Sequence, residues 1–220
     1  MNETSGTTLA DQGSANKTLT TSGSPTLNQN TGLTGIPKTV SFSSGSSQYA
    51  TTGLQTSYNL APSGNWTVEG WFSTTTTTSS PVPAVLAIRG NTIAGGNNDI
   101  LCAAFVNITT NKLTIAVTDL ATTGSVLLTS STSVNTGAYF YFTVTSVLGG
   151  ALTLYINGTS EASSSASRYV GTNSRAFITA AQSDGAGNYQ NFYTGKCMAP
   201  AIYNTTLSTT RITEHYNKGI

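Results

Sequence analysis

The sequence predicts an all-β protein, an antiparallel two-sheet jelly-roll sandwich with a short C-terminal helix. Three observations carry that expectation. The 220 residues include 41 Thr, 27 Ser and 22 Gly, a bias toward strands and hydroxyl-rich turns rather than helices. Short apolar or alternating runs recur roughly every dozen residues between turn residues, the cadence of a sandwich or jelly roll. Finally, "TVTSVLGGALTLYIN" sets Gly149-Gly150 between two alternating runs, where glycine supplies the positive φ angles of a two-residue hairpin turn.

In chain order, residues 1–36 are rich in Thr, Ser, Gly and Asn with scattered Leu and read as an irregular arm wrapping the domain. The domain proper is expected over 37–220. Expected strands are 38–42 (KTVSF), 66–73 (WTVEGWFS), 84–90 (AVLAIRG), 100–106 (ILCAAFV), 112–118 (KLTIAVT) and 125–130 (SVLLTS). Further strands are expected at 138–147 (AYFYFTVTSV), 151–157 (ALTLYIN), 175–181 (RAFITAA) and 197–203 (CMAPAIY). Only "LSTTRITEHYNKG" reads as helix: Ser208 caps it, Ile212 and Tyr216 fall one turn apart, and Gly219 stops it.

Charge excludes whole classes of partner. Lys, Arg, Asp and Glu together make 8% of the chain and the net charge is +1, so there is no basic face for nucleic acid or an anionic membrane. No apolar run approaches the roughly 18 residues of a membrane helix, and no membrane insertion is expected. The start, "MNETSGTTLADQGS", lacks the basic and apolar regions of a signal peptide. The sequence therefore suggests either a secretory segment absent from this chain or a protein carried outward by assembly into a particle.

The order of segments resembles the laminin-G-like branch of the concanavalin A-like lectin/glucanase jelly rolls. "VSFSSGSSQYATT" is similar to the opening strand pair, through Phe42, Gly45 and Tyr49; "NWTVEGWF" to an aromatic-Thr-Val-Glu-x-Trp strand. "LTLYINGTSEAS" resembles a strand and turn carried by Leu152, Leu154, Tyr155, Ile156, Asn157 and Gly158, and "YTGKCMAPAIYNTTLSTTRITEHYNKG" the final strand and helix. The polar leader "NETSGTTLADQGSAN" is similar to the one that often precedes such domains. Where many relatives carry an Asp-Glu pair on the last strand, this chain has Met198 and Ala199, so the resemblance implies loss of that pair's role, including help in placing a cation.

Glucanases of this fold resemble one another in a strand of closely spaced acids, because retaining hydrolysis needs a nucleophile and an acid about 5 Å apart. Here the Glu residues are Glu3, Glu69, Glu161 and Glu214, and no two carboxylates lie within four residues of each other. No catalysis is expected. Trp66 and Trp71 differ by five positions, so alternation sends them to opposite faces, with Trp71 beside Glu69. Trp71 reads as core, and a buried Glu69 would need a hydrogen-bonding or charged partner. His215, the single histidine, reads as a helix-end cap or a surface residue.

Binding chemistry concentrates in two Gly-rich loops. "GGNNDI" offers Asn97, Asn98 and Asp99, and "QSDGAGNYQNFY" offers Asp184, Asn188 and Tyr189, with Phe192 and Tyr193 nearby. Amides beside aromatic rings suit sugars, which stack on a ring and hydrogen-bond through their hydroxyls. The same loops are where a calcium ion would find oxygen ligands, but a plain hairpin connection is preferred, and no cofactor or metal is expected. Cys102 and Cys197 fit either a disulfide or, preferably, two buried thiols. Six Asn-x-Ser/Thr sequons occur, at Asn2, Asn16, Asn65, Asn107, Asn157 and Asn204, and so hydroxyl-rich a chain is expected to produce several by chance; they matter only in a eukaryotic secretory pathway.

Two functional expectations follow. The first is a non-catalytic virion surface protein, a bacteriophage decoration or fibre component present in many copies, touching capsid or tail proteins and weakly adhering to cell-surface glycans. On this view the arm is the anchor and can be removed without loss of the sandwich. The second is an extracellular carbohydrate-binding module of a larger secreted or cell-surface protein.

Overall fold

Alternation decides where the interior lies, and the chain alternates into two sheets. The structure, a computed structural model, describes residues 3, 5–13, 16–55, 64–75, 82–90, 99–118, 125–165, 174–184 and 186–220. The strands begin with β1 (Thr8–Leu9), β2 (Leu19–Ser22), β3 (Thr26–Asn30), β4 (Lys38–Phe42), β5 (Tyr49–Gln55) and β6 (Trp66–Ser73). They continue with β7 (Ala84–Gly90), β8 (Ile100–Asn107), β9 (Lys112–Thr118), β10 (Ser125–Ser133), β11 (Phe140–Ser146) and β12 (Leu152–Ile156). Last come β13 (Thr159–Ser164), β14 (Arg175–Thr179), β15 (Gln182–Ser183), β16 (Tyr189–Gln190), β17 (Gly195–Tyr203) and the helix α1 (Thr209–Gly219).

An eight-stranded sheet runs β1-β2-β5-β14-β7-β8-β9-β10 and a seven-stranded sheet runs β13-β12-β11-β6-β17-β4-β3, with β15 and β16 as a separate hairpin. Every described pairing is antiparallel. The expected antiparallel jelly-roll sandwich is therefore what forms. Trp66, Val68 and Phe72 of β6 join Phe142, Val144, Leu154 and Ile156 from the seven-stranded sheet in one buried core. Opposite them stand Ile88, Leu101, Leu113, Ile115 and Phe177 of the eight-stranded sheet. Area removed from water at this interface is the main driving term for the fold.

Two sequence expectations need correction. Residues 1–36 are not irregular: β1 and β2 extend one sheet, β3 the other, and Leu9 and Leu19 are buried in the common core. The arm is thus part of the sandwich. The Gly149-Gly150 turn centres one residue earlier, since Gly150 N–H donates to Val147 C=O at 3.0 Å and only Gly149 of the two glycines has positive φ. A true two-residue turn lies at the next hairpin, where Asn157 and Gly158, both at positive φ, join Ile156 to Thr159. The disulfide alternative is not formed: Cys102 and Cys197 are free, the two buried thiols the sequence favoured; both sit in the core, and burial pushes each thiol up to about 12.

The free edge of β10 is guarded from across the sandwich. Glu161 of β13 accepts the Ser131 and Thr132 amides at 2.8 and 3.0 Å, as well as the Thr132 hydroxyl. Satisfying edge amides with a carboxylate removes a template on which another chain could pair.

Candidate functional site

The outer face of the seven-stranded sheet answers the question posed by Glu69. On β6 the residues between the core positions point outward, and there Trp71 lies opposite Tyr141 of β11 and Met198 of β17. Helix α1, capped by Ser208 Oγ accepting from Arg211 N–H, lays Ile212 and Tyr216 on this surface. The rings of Trp71 and Tyr216 stack at 5.7 Å, and Gly219 sits so close to the indole that a side chain there would collide with it. Trp71 is left 3% exposed, so it is core, as expected, but of a second, smaller core beneath the helix.

Glu69, 6% exposed, is held in that layer by three partners. Tyr141 Oη donates to one carboxylate oxygen at 2.5 Å, Tyr203 Oη donates to the other at 3.0 Å, and His215 Nδ1 lies 3.1 and 3.2 Å from the two. Burial, then the Glu69 charge, pushes both tyrosines well above the ordinary phenol range, so they remain donors. The expectation that His215 is a cap or surface residue is therefore corrected. It is the helix's contact with a buried carboxylate 146 positions away. The one sequence signal for it was Glu69 itself, an acid in an apolar strand of a chain with few candidate partners.

The second acidic position resolves differently. Asp99, immediately before β8, is fully buried and pairs with Arg175, also fully buried, which forks Nε and Nη2 onto one Asp99 oxygen at 3.1 and 2.8 Å. The other Asp99 oxygen faces Gly90, where a Cβ would stand only 2.5 Å away, so glycine is what lets strand and carboxylate approach. Asp99 thus belongs to a buried ion pair rather than to a surface patch. Asn97 and Asn98 lie outside the described residues.

Asp184, Asn188 and Tyr189 come together on the outer face of the eight-stranded sheet, on the β15–β16 hairpin. Asp184 Oδ1 accepts the Ala186 and Asn188 amides at 2.8 and 3.1 Å, and Oδ2 accepts Asn188 Nδ2 at 2.8 Å. These bonds, led by the Asn188 side chain, hold the Asp184 carboxyl below the ordinary range. Tyr189 stacks on Tyr49 of β5 with centroids 4.0 Å apart and 22° between planes, and Phe192 sits 6.1 Å from Tyr49. The rings rest on Ala176, Ile178 and Ala181 yet stay half-buried, with Asn188 and Gln190 exposed beside them. Tyr193, by contrast, turns inward into the main core.

Arg89 of β7 interacts with both acids, Asp99 and Asp184. It is 4% exposed, donates through Nη1 to Gln182 Oε1 at 3.2 Å, and feels the charges of both Asp184 and Asp99. Burial, only partly offset by those charges, lowers its pKa. Among the described residues no group of three or more His, Cys, Asp or Glu is placed to hold a metal ion, and no helix is long and apolar enough to cross a membrane.

Comparison with known proteins agrees with this architecture. The family model of the concanavalin A-like lectin/glucanases superfamily, Laminin_G_3, matches residues 44–213, and the chain belongs to that superfamily. No sequence match was found among curated proteins. Among solved structures, the binding domain of Paraclostridial Mosquitocidal Protein 1 superposes with a TM-score of 0.67 at 13% identity, over 94% of this chain and 49% of that one. The chain thus spans about half that structure. A botulinum neurotoxin type C structure, described in terms of two ganglioside molecules, gives 0.66 at 14% identity over 98% and 49% of the two chains. The Ruminococcus gnavus IT-sialidase CBM40 bound to α2,3 sialyllactose gives 0.59 at 12% identity over 73% and 85%.

Proposed function

With membership of the concanavalin A-like superfamily as premise, we propose that this domain is a non-catalytic glycan-binding module whose contact surface is the β15–β16 hairpin with Tyr49. One observation carries the proposal: a half-buried, stacked tyrosine pair flanked by the exposed amides of Asn188 and Gln190. Stacked tyrosines give large contact area at low entropic cost, and amides offer both a donor and an acceptor to sugar hydroxyls. The solved relatives described with a sialyllactose or with gangliosides support the same reading.

Neither buried acid is available for hydrolysis. Glu69 lies under α1 with three partners and Asp99 is committed to Arg175. Binding is proposed to need no cofactor, because three of the about four acceptor directions of the Asp184 carboxylate are already taken by its own loop; chelation should leave it unchanged. At about 0.3 kcal/mol per non-hydrogen atom, a hexose of about a dozen such atoms yields about 4 kcal/mol, a dissociation constant of about 1 mM.

So weak a site gains from multiplicity, and the setting we infer is the surface of a virus particle, as a decoration or fibre component. The sparsely charged, hydroxyl-rich composition supports that setting. Stoichiometric co-sedimentation of the untagged protein with purified particles is expected; its absence would favour a module of a secreted or cell-surface protein instead. Glycan binding itself is tested by an oligosaccharide screen followed by NMR titration. Ligand shifts should cluster on Tyr49, Asn188 and Tyr189, and Tyr189→Ala should weaken binding about fivefold or more, the about 1–3 kcal/mol scale of a lost ring contact. Shifts clustered elsewhere, or an unaffected Tyr189→Ala, would sink this assignment of the site.

A further inference from the structure

We infer that Arg89 is the positioning residue of the hairpin site, gripping the β15–β16 ribbon from β7 so that Tyr189 stays stacked on Tyr49; this rests on the glycan-binding reading above. The sheet order β5-β14-β7 sets Tyr49 and Arg89 on the two strands that flank β14. Along the ribbon Gln182 pairs with Gln190 and Ser183 with Tyr189, and neighbouring residues of a strand point to opposite faces. Gln182 and Tyr189 therefore leave the ribbon on opposite sides. One meets Arg89, whose Nη1 donates to Gln182 Oε1 at 3.2 Å. The other meets Tyr49, with ring centroids 4.0 Å apart.

The root of the ribbon is fixed by backbone bonds. Ala180 N–H donates to Val85 C=O and Tyr193 N–H to Ala180 C=O, each at 2.9 Å, and Ala84 N–H donates to Asn191 C=O at 2.8 Å. The tip is closed by its own bonds, from Ala186 and Asn188 to the Asp184 carboxylate. Neither set decides how the ribbon leans over β14. The side chains on its two faces do.

Arg89 suits that task. It is 4% exposed and stands in the field of Asp184 as well as Asp99, so its charge holds the ribbon through Asp184 while its hydrogen bond holds it through Gln182. A hydrogen bond from a charged donor is stronger than a neutral one. A ring set in place beforehand loses less freedom when a sugar docks on it, which is how a buried cation that need not touch the sugar raises affinity.

The test is a double-mutant cycle on the intact protein, Arg89→Met and Tyr189→Ala singly and together, followed by NMR. Without ligand, Arg89→Met should remove most of the ring-current shift that Tyr49 and Tyr189 impose on each other, while the signals of Trp71 and α1 stay native. Arg89→Lys, which keeps a cation beside Asp184, should restore part of it. Titrated with lactose and α2,3-sialyllactose, Arg89→Met should bind about fivefold or more weakly, below the full scale of a lost hydrogen bond to a charged group. In the Tyr189→Ala background the same change should cost less than about twofold, because residues that act through one contact are not additive. If Arg89→Met fails to fold for want of a cation beside Asp99, Gln182→Met removes the ribbon's acceptor alone and should abolish the ring shift in the same way. Unchanged ring shifts in the folded variants, or an equal loss of binding with and without Tyr189, would overturn the inference and leave the glycan-binding reading standing. If neither sugar perturbs the hairpin of the unaltered protein, that reading fails for these ligands, and the ligand-free ring shifts still decide the role of Arg89.

Discussion

Both outer faces of the sandwich carry aromatic rings and an acid, and the two faces meet opposite fates. On the seven-stranded sheet α1 closes over Trp71, and Glu69 is surrounded by two tyrosines and a histidine. Over the eight-stranded sheet, Tyr49 of β5 and Tyr189 of the β15–β16 hairpin stack but remain half-buried, and Asp184 and Asn188 of the hairpin bond each other at the edge of solvent. Ring-plus-carboxylate chemistry is common to both. What separates a second core from a candidate binding surface is whether another element of the chain closes over the rings and excludes the ligand.

The strongest way to break that contrast is Trp71→Ala. Removing a large ring from a closed layer should cost about 3–5 kcal/mol in denaturant unfolding, while the folded fraction keeps its hairpin and any glycan binding. A cost under about 1 kcal/mol would mean that α1 does not close the face. Glu69→Ala comes next. It strands the hydroxyls of Tyr141 and Tyr203 and frees His215, and leaving buried donors unpaired should cost about 2–3 kcal/mol. Hydrogen exchange in α1 should quicken, because the helix loses its polar contact with the sheet. Unchanged exchange there would show that the helix is held by Ile212 and Tyr216 alone.

Tyr189→Ala sharpens the comparison from the other side. Its stacked pair contributes about 0.5–1.5 kcal/mol beyond area burial, so stability should fall modestly while ligand binding suffers most. Trp71 and Tyr189 thus make an opposed pair, one variant felt in unfolding and the other in titration.

How much of this was legible in the sequence depended on whether the side chains or only the backbone carried the message. Strands β6 to β9 and β12 announce themselves by apolar or alternating residues, because each buries at least one face. Strands β2, β3 and β13 read "LTTS", "TLNQN" and "TSEASS". They sit at or beside sheet edges, held by ladder hydrogen bonds with little apolar surface to bury, so composition made β2 and β3 look like an irregular arm. The Asp184–Asn188 loop was visible because its contacts are local. The pairs Glu69–His215 and Asp99–Arg175 were not, since their partners are 146 and 76 residues apart and meet only through sheet register and helix docking. In a chain of eight acids and nine Lys and Arg, an acid beside buried strands was still a usable hint that a distant partner must exist.

The smallest effect separates the two acids by how their order is lost. Asp184 is held below the ordinary carboxylate range, first by the Asn188 side chain and then by the Ala186 amide. A folded-state pKa below the unfolded one means that the loop's bonds contribute fully above the ordinary range, and the contribution fades as pH falls through the lowered value. The group is exposed, so this should register as local loosening rather than unfolding. In an acid titration followed by NMR, the amides of Ala186 and Asn188 should shift together with the Asp184 carboxyl while α1 and Trp71 keep their native signals. If the hairpin and α1 instead let go in one transition, the two faces are a single cooperative unit, and the distinction between a closed core and an open lip no longer describes how the molecule responds.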